Sequence, residues 1–311
     1  MPTQKIFAYV NGKITPNDKA VLSVFDRGLV LGDGLFETLR CVDFHPQFLT
    51  LHYQRLLRSA RILKLRVPMN QPELQAILVR LCRSSALRDA VVRITLTRGL
   101  YQGGLAIDPQ IPPSLIITVA PVQGLEEKLY SQGVPVILSG INKTAASGLD
   151  SRIKSINYLA NIFAKAEADR RKCYEAILLG PHGEIAELST ASFFCVLKGV
   201  VVTPPIETGI LPGITRQVLL KEMRRLRIPC EEKTIYPRII PRMSEAFLCS
   251  SVRGPVPINR IDHQSIGTGL VGPVFRQIRS LYQKACAQDA PHSLATSVTF
   301  ASPKRTSSSA G

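Results

Sequence analysis

Stretches that alternate apolar and polar residues outnumber those with helical spacing in this chain, and the two kinds do not follow one another in regular strand-helix-strand order. A doubly wound parallel sheet needs that order, so the sequence points to an α+β protein. Ile6 to Ile14 alternates around Asn11-Gly12, a pair suited to the positive φ angles of a two-residue hairpin. Gly34 to Cys41 reads as a strand and Thr50 to Leu65 as a helix capped by Thr50. A second helix opens at Asn70 with Glu73 three residues on, the spacing of a capping box, and Pro72 is tolerated in its first turn. Ala90 to Gly99 and Ser114 to Pro121 are β-branched strands. Beyond them the pattern predicts further strands, with helices over Asn157 to Lys172, Gly213 to Arg227 and Gly272 to Cys286.

A chain of 311 residues exceeds what one hydrophobic core usually serves, so two domains are expected. Pro and Gly between Ala120 and Leu125 mark the junction. The expected division is a small N-terminal α+β domain over 1–120, a linker over 121–125, a larger domain over 126–286 and a disordered Ser/Thr/Ala/Pro-rich tail over 287–311.

The seven cysteines are widely spaced and form no C-x-x-C pair, which predicts free thiols in a reducing compartment and no metal site. The N-terminus lacks the apolar stretch of a secretory signal, and no window reaches the roughly 18 apolar residues of a membrane span. A cytoplasmic protein with no membrane partner is expected. The net charge of +16 raises the question of nucleic acid. Yet the basic residues are scattered, densest at Arg170-Arg171-Lys172 and Arg224-Arg225 with Arg227, and no basic arm or recognisable motif appears. Solvated helix faces explain the charge better than a nucleic-acid surface, and part of the excess suits anionic substrates.

Four features carry chemical interest. Lys154 stands just before an apolar helix. It is either a solvated cation with its stem on apolar surface or, in a partly dry pocket, an amine able to form a Schiff base. Glu187 enters the Ser/Thr-rich turn "ELSTAS", where an exposed strand-end charge is the plainer explanation. Gly209, Pro212 and Gly213 lead into an amphipathic helix whose Ile214 and Thr215 N–H groups form a phosphate cradle or simply a helix start. Arg55 lies on the first helix and is otherwise an ordinary surface cation. "GDGLFE" (Gly32 to Glu37) ends in Glu where a dinucleotide fingerprint needs its third Gly, and no P-loop, H-E-x-x-H or G-x-S-x-G is present.

The runs "VLSVFDRGLVLGDGLFETLR" (Val21 to Arg40), "HYQRL" (His52 to Leu56), "RIKSINYLANIFAKAEA" (Arg152 to Ala168), "GEIAELSTASFFCV" and "VTPPIETGILPGITRQ", in this order, resemble the class IV aminotransferases. These are the fold type IV pyridoxal-phosphate (PLP) enzymes. The resemblance spans about Ile6 to Tyr282. It implies a small N-terminal domain, a larger β-barrel-like C-terminal domain with flanking helices, a PLP cofactor held between them, and a homodimer. By the same resemblance Lys154 would hold the cofactor as a Schiff base and move the Cα proton. Glu187 would pair with the pyridine nitrogen. Arg55, Ile214, Thr215, Ser250 and Ser251 would bind the phosphate. One position departs: the family usually has Asn where this chain has Phe193.

Within the family, "LFETLR" (Leu35 to Arg40) is similar to aminodeoxychorismate lyase, because Thr38 stands where branched-chain aminotransferases usually have Gly. "TRGLYQGGLAI" (Thr97 to Ile107) lacks the Arg and His of D-amino-acid aminotransferase, and Phe36 replaces its Tyr, although "CYEAIL" is close to that enzyme. The sequence therefore places first a lyase that converts 4-amino-4-deoxychorismate to 4-aminobenzoate and pyruvate. The alternative is an aminotransferase for branched-chain or D-amino acids, and a basic binding protein without cofactor is a third reading. Phe36, Thr38, Arg98 and Arg253 are the candidate substrate contacts, with Arg40 a further cation for an anionic substrate.

Overall fold

The computed structural model describes residues 5–123, 126–143 and 150–290. Asn11 and Gly12 take φ of 45° and 95°, and the turn joins β1 (Phe7–Val10) to β2 (Lys13–Pro16) with Val10 opposite Lys13. The short helix α1 (Arg27–Leu31) leads into β3 (Gly34–Val42), which is followed by β4 (His45–Pro46). Helices α2 (Leu49–Ile62) and α3 (Gln71–Ser84) come next, then β5 (Asp89–Thr97) and β6 (Ser114–Pro121). The six strands form one sheet in the order β2-β1-β6-β5-β3-β4. Its core is made where Leu39, Val92, Ile94 and Ile117 meet Leu56 and Ala60 of α2 and Leu74, Leu78 and Leu81 of α3. The α3 capping box forms as its spacing implies, with Asn70 and Glu73 satisfying each other's backbone N–H.

The second sheet begins beyond α4 (Glu127–Gln132), at β7 (Val134–Asn142). After the Lys154 segment come α5 (Leu159–Arg170), β8 (Glu175–Leu179), β9 (Ile185–Leu188), β10 (Ser192–Leu197) and β11 (Val200–Thr203). The chain continues through α6 (Ile214–Arg225), β12 (Cys230–Glu232), β13 (Glu245–Ser250), β14 (Gly254–Ile261), β15 (Gln264–Ser265) and α7 (Pro273–Asp289). The path runs β12-β11-β10-β13-β14-β7-β8-β9, with β15 on β14. The last strand of that path, β9, is separated from β10 by Ser189–Ala191 alone, and Leu188 N–H donates to the Ala191 carbonyl (2.7 Å). So short a link between distant strands requires the sheet to curl, which gives a half-barrel. Neighbouring aromatics serve its two faces: Phe193 fills the inside of the curl, while Phe194 stacks on Phe247 beneath α6 and α7. On the far side Ala164 and Ala168 bring α5 close to Ile137 and Leu178.

Some local expectations need correction. Thr50 does not cap α2. The helix starts at Leu49, Phe48 stands at its cap with φ 52°, and the Phe48 N–H donates to Asp289 Oδ2 at the end of α7 (2.6 Å). The helices expected over Asn157 to Lys172 and Gly213 to Arg227 are shorter, and α7 runs on to Asp289, into the stretch expected to be tail. Residues 291–311 and 124–125 lie outside the described residues. The short helices α1 and α4 and the strand β14 were not anticipated. Strand β14 contains Pro255 and Pro257, residues that argue against a central strand. Both precede Ile258, where pairing with β7 begins, so no ladder bond on that side is lost. All seven cysteines are free, and no helix among the described residues is long and apolar enough to cross a membrane.

Candidate active site

The segment after β7 returns to the first sheet. Phe36 N–H donates to the Lys154 carbonyl (2.8 Å), Ile156 N–H donates to the Gly34 carbonyl (3.1 Å), and Leu35 bridges Ser155. Lys154 is thus fixed by its backbone against β3, and its side chain enters a cavity of about 850 Å³ bounded by both sheets. Nζ donates to Tyr158 Oη (3.1 Å) and lies 4.5 Å from the Phe36 ring centroid. Burial pushes the Lys154 ammonium from its ordinary 10.5 down to about 8; the Arg55 charge adds to this, and Glu37 and Glu187 oppose it. Burial also raises the Tyr158 phenol to about 12, so it stays protonated at neutral pH.

Arg55 reaches the cavity from α2, and the group that orients it is one sequence reasoning missed. Alternation along β3 puts Glu37 on the core face with Leu35 and Leu39. There its carboxylate accepts from Arg55 Nε and Nη2, both at 2.7 Å, and lies 2.7 Å from His52 Nδ1. Burial alone would raise the Glu37 pKa, but the Arg55 charge and hydrogen bonds, with help from His52, outweigh it and hold the group at about 2. Because Glu37 is ionised, His52 Nδ1 must be the donor. Burial lowers the imidazole pKa more than Glu37 restores it. The third Arg55 contact, Nη1 to the Pro212 carbonyl (2.9 Å), crosses to the loop before α6. A buried carboxylate facing a histidine and an arginine at helical spacing was the available sequence signal.

Glu187, Ile214, Thr215, Ser250 and Ser251 line the same cavity as Lys154 and Arg55. Glu187 is ion-paired with Lys143, which was not anticipated, and accepts from Leu211 N–H (3.1 Å). Lys143 also donates to the Gly209 carbonyl (2.6 Å), tying Glu187 to the loop that leads to α6. At the start of α6 Gly213 is the cap residue, and a Cβ there would come within 2.6 Å of Ser192 Oγ. Two hydroxyls on this wall, Thr215 Oγ1 and Ser250 Oγ, are buried without a hydrogen-bond partner.

Phe36, Thr38 and Arg253 line the cavity and Arg98 does not. The Arg98 guanidinium is held by Asp33 and by the carbonyls of Leu63 and Lys64, so it is a structural cation. Arg40 is likewise paired, with Asp89. Arg93 is an arginine that does line the cavity. It sits opposite Thr38 on β5, its guanidinium 3.7 Å from the Phe36 ring centroid, with no ion-pair partner among the described residues. Phe193, at the departing position, faces the core and not the cavity.

The class IV aminotransferase family model matches residues 34–261, which include both the Lys154 segment and the α6 start. The chain belongs to the class IV aminotransferases. A protein of Methanocaldococcus jannaschii with the provisional name branched-chain-amino-acid aminotransferase is 31% identical, over 88% of this chain and 94% of its own. A D-alanine aminotransferase of Staphylococcus aureus is 29% identical, over 90% of this chain and 97% of its own. Among solved structures, the Escherichia coli branched-chain amino acid aminotransferase superposes with a TM-score of 0.85 at 26% identity, covering 93% of this chain and 97% of its own. The 4-amino-4-deoxychorismate lyase of Pseudomonas aeruginosa gives 0.79 at 28% identity, covering 89% and 98%. This class IV chain is therefore an enzyme of fold type IV architecture. Its relatives weigh towards aminotransferases, whereas the sequence reading had put the lyase first.

Proposed function

We propose that the protein is a PLP-dependent aminotransferase acting on branched-chain or D-amino acids. The cofactor is supported by a lysine with a pKa near 8 in the same cavity as two buried hydroxyls without hydrogen-bond partners, and the observation that carries an aminotransferase over a lyase is the 31% and 29% identity to relatives named as aminotransferases. Thr215 Oγ1, Ser250 Oγ and the free N–H groups of Ile214 and Thr215 are what a phosphate monoester would satisfy, with Arg55 opposite and Ser251 on the same wall. Lys154 would hold the cofactor covalently, and Glu187, fixed by Lys143 and Leu211, would face its pyridine nitrogen. When bound, PLP supplies an electron sink for negative charge at the substrate Cα. Lys154, partly deprotonated near neutral pH, is the base for the proton on that carbon, and the Tyr158 hydroxyl steers its amine. Arg93, unpaired on the Phe36 side, holds the substrate carboxylate.

One observation keeps the lyase as a second reading. Arg93 and Arg253 both line the cavity without ion-pair partners, which fits a dianionic substrate as well as a monocarboxylate. A homodimer is also proposed. Val24, Phe25 and Leu29 near α1, and Leu159, Ile162 and Phe163 on the first turns of α5, are exposed apolar side chains on neighbouring segments that Asn157 joins by donating to the Gly32 carbonyl (3.1 Å).

The test is to load the protein with PLP and offer valine, leucine, isoleucine and D-alanine in turn with 2-oxoglutarate, following the new keto acid. The expected result is turnover of at least one donor. Pyruvate release from 4-amino-4-deoxychorismate without any keto acid, and no turnover of the amino acids, would replace this reading with the lyase.

A further inference from the structure

A second cavity, of about 570 Å³, lies behind the first between α4, the start of β7 and the turn that follows α5. Arg253 and Thr190 line both cavities, so one side-chain layer separates them. The charges around it do not cancel. Lys165 is paired with Asp169 and Lys128 with Glu126. Glu175 accepts from the hydroxyls of Ser189 and Thr190 and from the Ala176 N–H, which are neutral, so its carboxylate offsets one of the two remaining cations and leaves the other in excess. Arg253 and Lys172 are left with no ion-pair or hydrogen-bond partner for their side chains among the described residues. Arg253 Nε and Tyr174 Oη are moreover buried and unsatisfied, with the guanidinium 5.7 Å from the Tyr174 ring centroid.

A guanidinium with a buried, unpaired N–H is costly to keep unless an anion meets it, and its planar fork suits a carboxylate or phosphate. Burial raises the Tyr174 phenol above its ordinary value, against the opposing Arg253 charge, so it remains a hydrogen-bond donor. We infer that the second cavity is an anion site for a small carboxylate or phosphate, held by Arg253, Lys172 and Tyr174. The same guanidinium also borders the catalytic cavity. The binding claim stands whether the front cavity serves an aminotransferase or a lyase.

Isothermal titration with sodium phosphate, and separately with succinate, tests it on the PLP-loaded protein, whose front phosphate cradle the cofactor occupies, and on PLP-loaded Lys172→Glu, Tyr174→Phe and Lys221→Glu. Lys221 is an exposed α6 lysine that lines neither cavity, so it controls for net charge. The expected result is saturable binding of at least one probe, weakened tenfold or more by Lys172→Glu, weakened by Tyr174→Phe and unchanged by Lys221→Glu, with melting temperatures confirming that each variant is folded. The probe that binds identifies the anion class. No binding of either probe at millimolar concentration overturns the proposal. So does binding that Lys172→Glu leaves intact, which would belong to the front cavity, or that Lys221→Glu weakens equally, which would be general charge attraction.

Discussion

Glu37 contributes stability that depends on its charge, because Arg55 and His52 satisfy it away from water. Its pKa falls from 4.5 to about 2 on folding, which corresponds to on the order of 3 kcal/mol. A carboxyl depressed in the folded state stabilises fully above 4.5, and that contribution is lost as pH falls towards 2. His52 acts in the same direction. Its folded pKa lies below the ordinary 6.5, so the unfolded chain takes a proton that the native state refuses, and stability declines as pH drops below that value. Urea midpoints measured between pH 7 and pH 2 should fall steeply in the wild type. Glu37→Gln should cost about 3–5 kcal/mol at neutral pH by leaving Arg55 unpaired, and should flatten the acid limb. An unchanged limb in the variant would remove Glu37 from this account.

Helices α1 and α5 present their large apolar side chains outward, against the usual amphipathic logic. Phe163 is 60% exposed on α5 and Leu29 68% exposed on α1. If a second copy covers them, Phe163→Glu places a charge in that interface, and light scattering should show a wild-type dimer and a largely monomeric variant. A wild-type monomer would contradict the dimer. The elements that could be read from sequence were those with a local cause: Asn11-Gly12 fixes its own turn, and Asn70 with Glu73 closes α3. The start of α2 was hidden because the Phe48 N–H at its cap is met by Asp289, over two hundred residues away in sequence. Strand β14 was masked by prolines whose tolerance depends on where β7 begins to pair. Among the candidate contacts, Arg98 looked available because nothing local announces Asp33 as its partner, while Arg93 shares a face with Thr38 only once β3 and β5 are in register.

Across the whole molecule the two sheets meet at the Lys154 segment, stitched to β3 on one side and leading into α5 on the other. The Arg55 contact to the Pro212 carbonyl and the Asp289 contact to Phe48 join the same halves elsewhere. The cavity draws on both, so the order of the family motifs along the chain becomes their convergence around one amine. Two lysines line that cavity, Lys154 and Lys143, and the account assigns them opposite parts: Lys154 as the nucleophile, Lys143 as the cation that fixes Glu187. Borohydride reduction of the PLP-loaded protein followed by peptide mass spectrometry separates them. The account predicts a single phosphopyridoxyl group on Lys154, lost in Lys154→Ala. A label on Lys143, or none on either lysine in protein that has bound the cofactor, would contradict it.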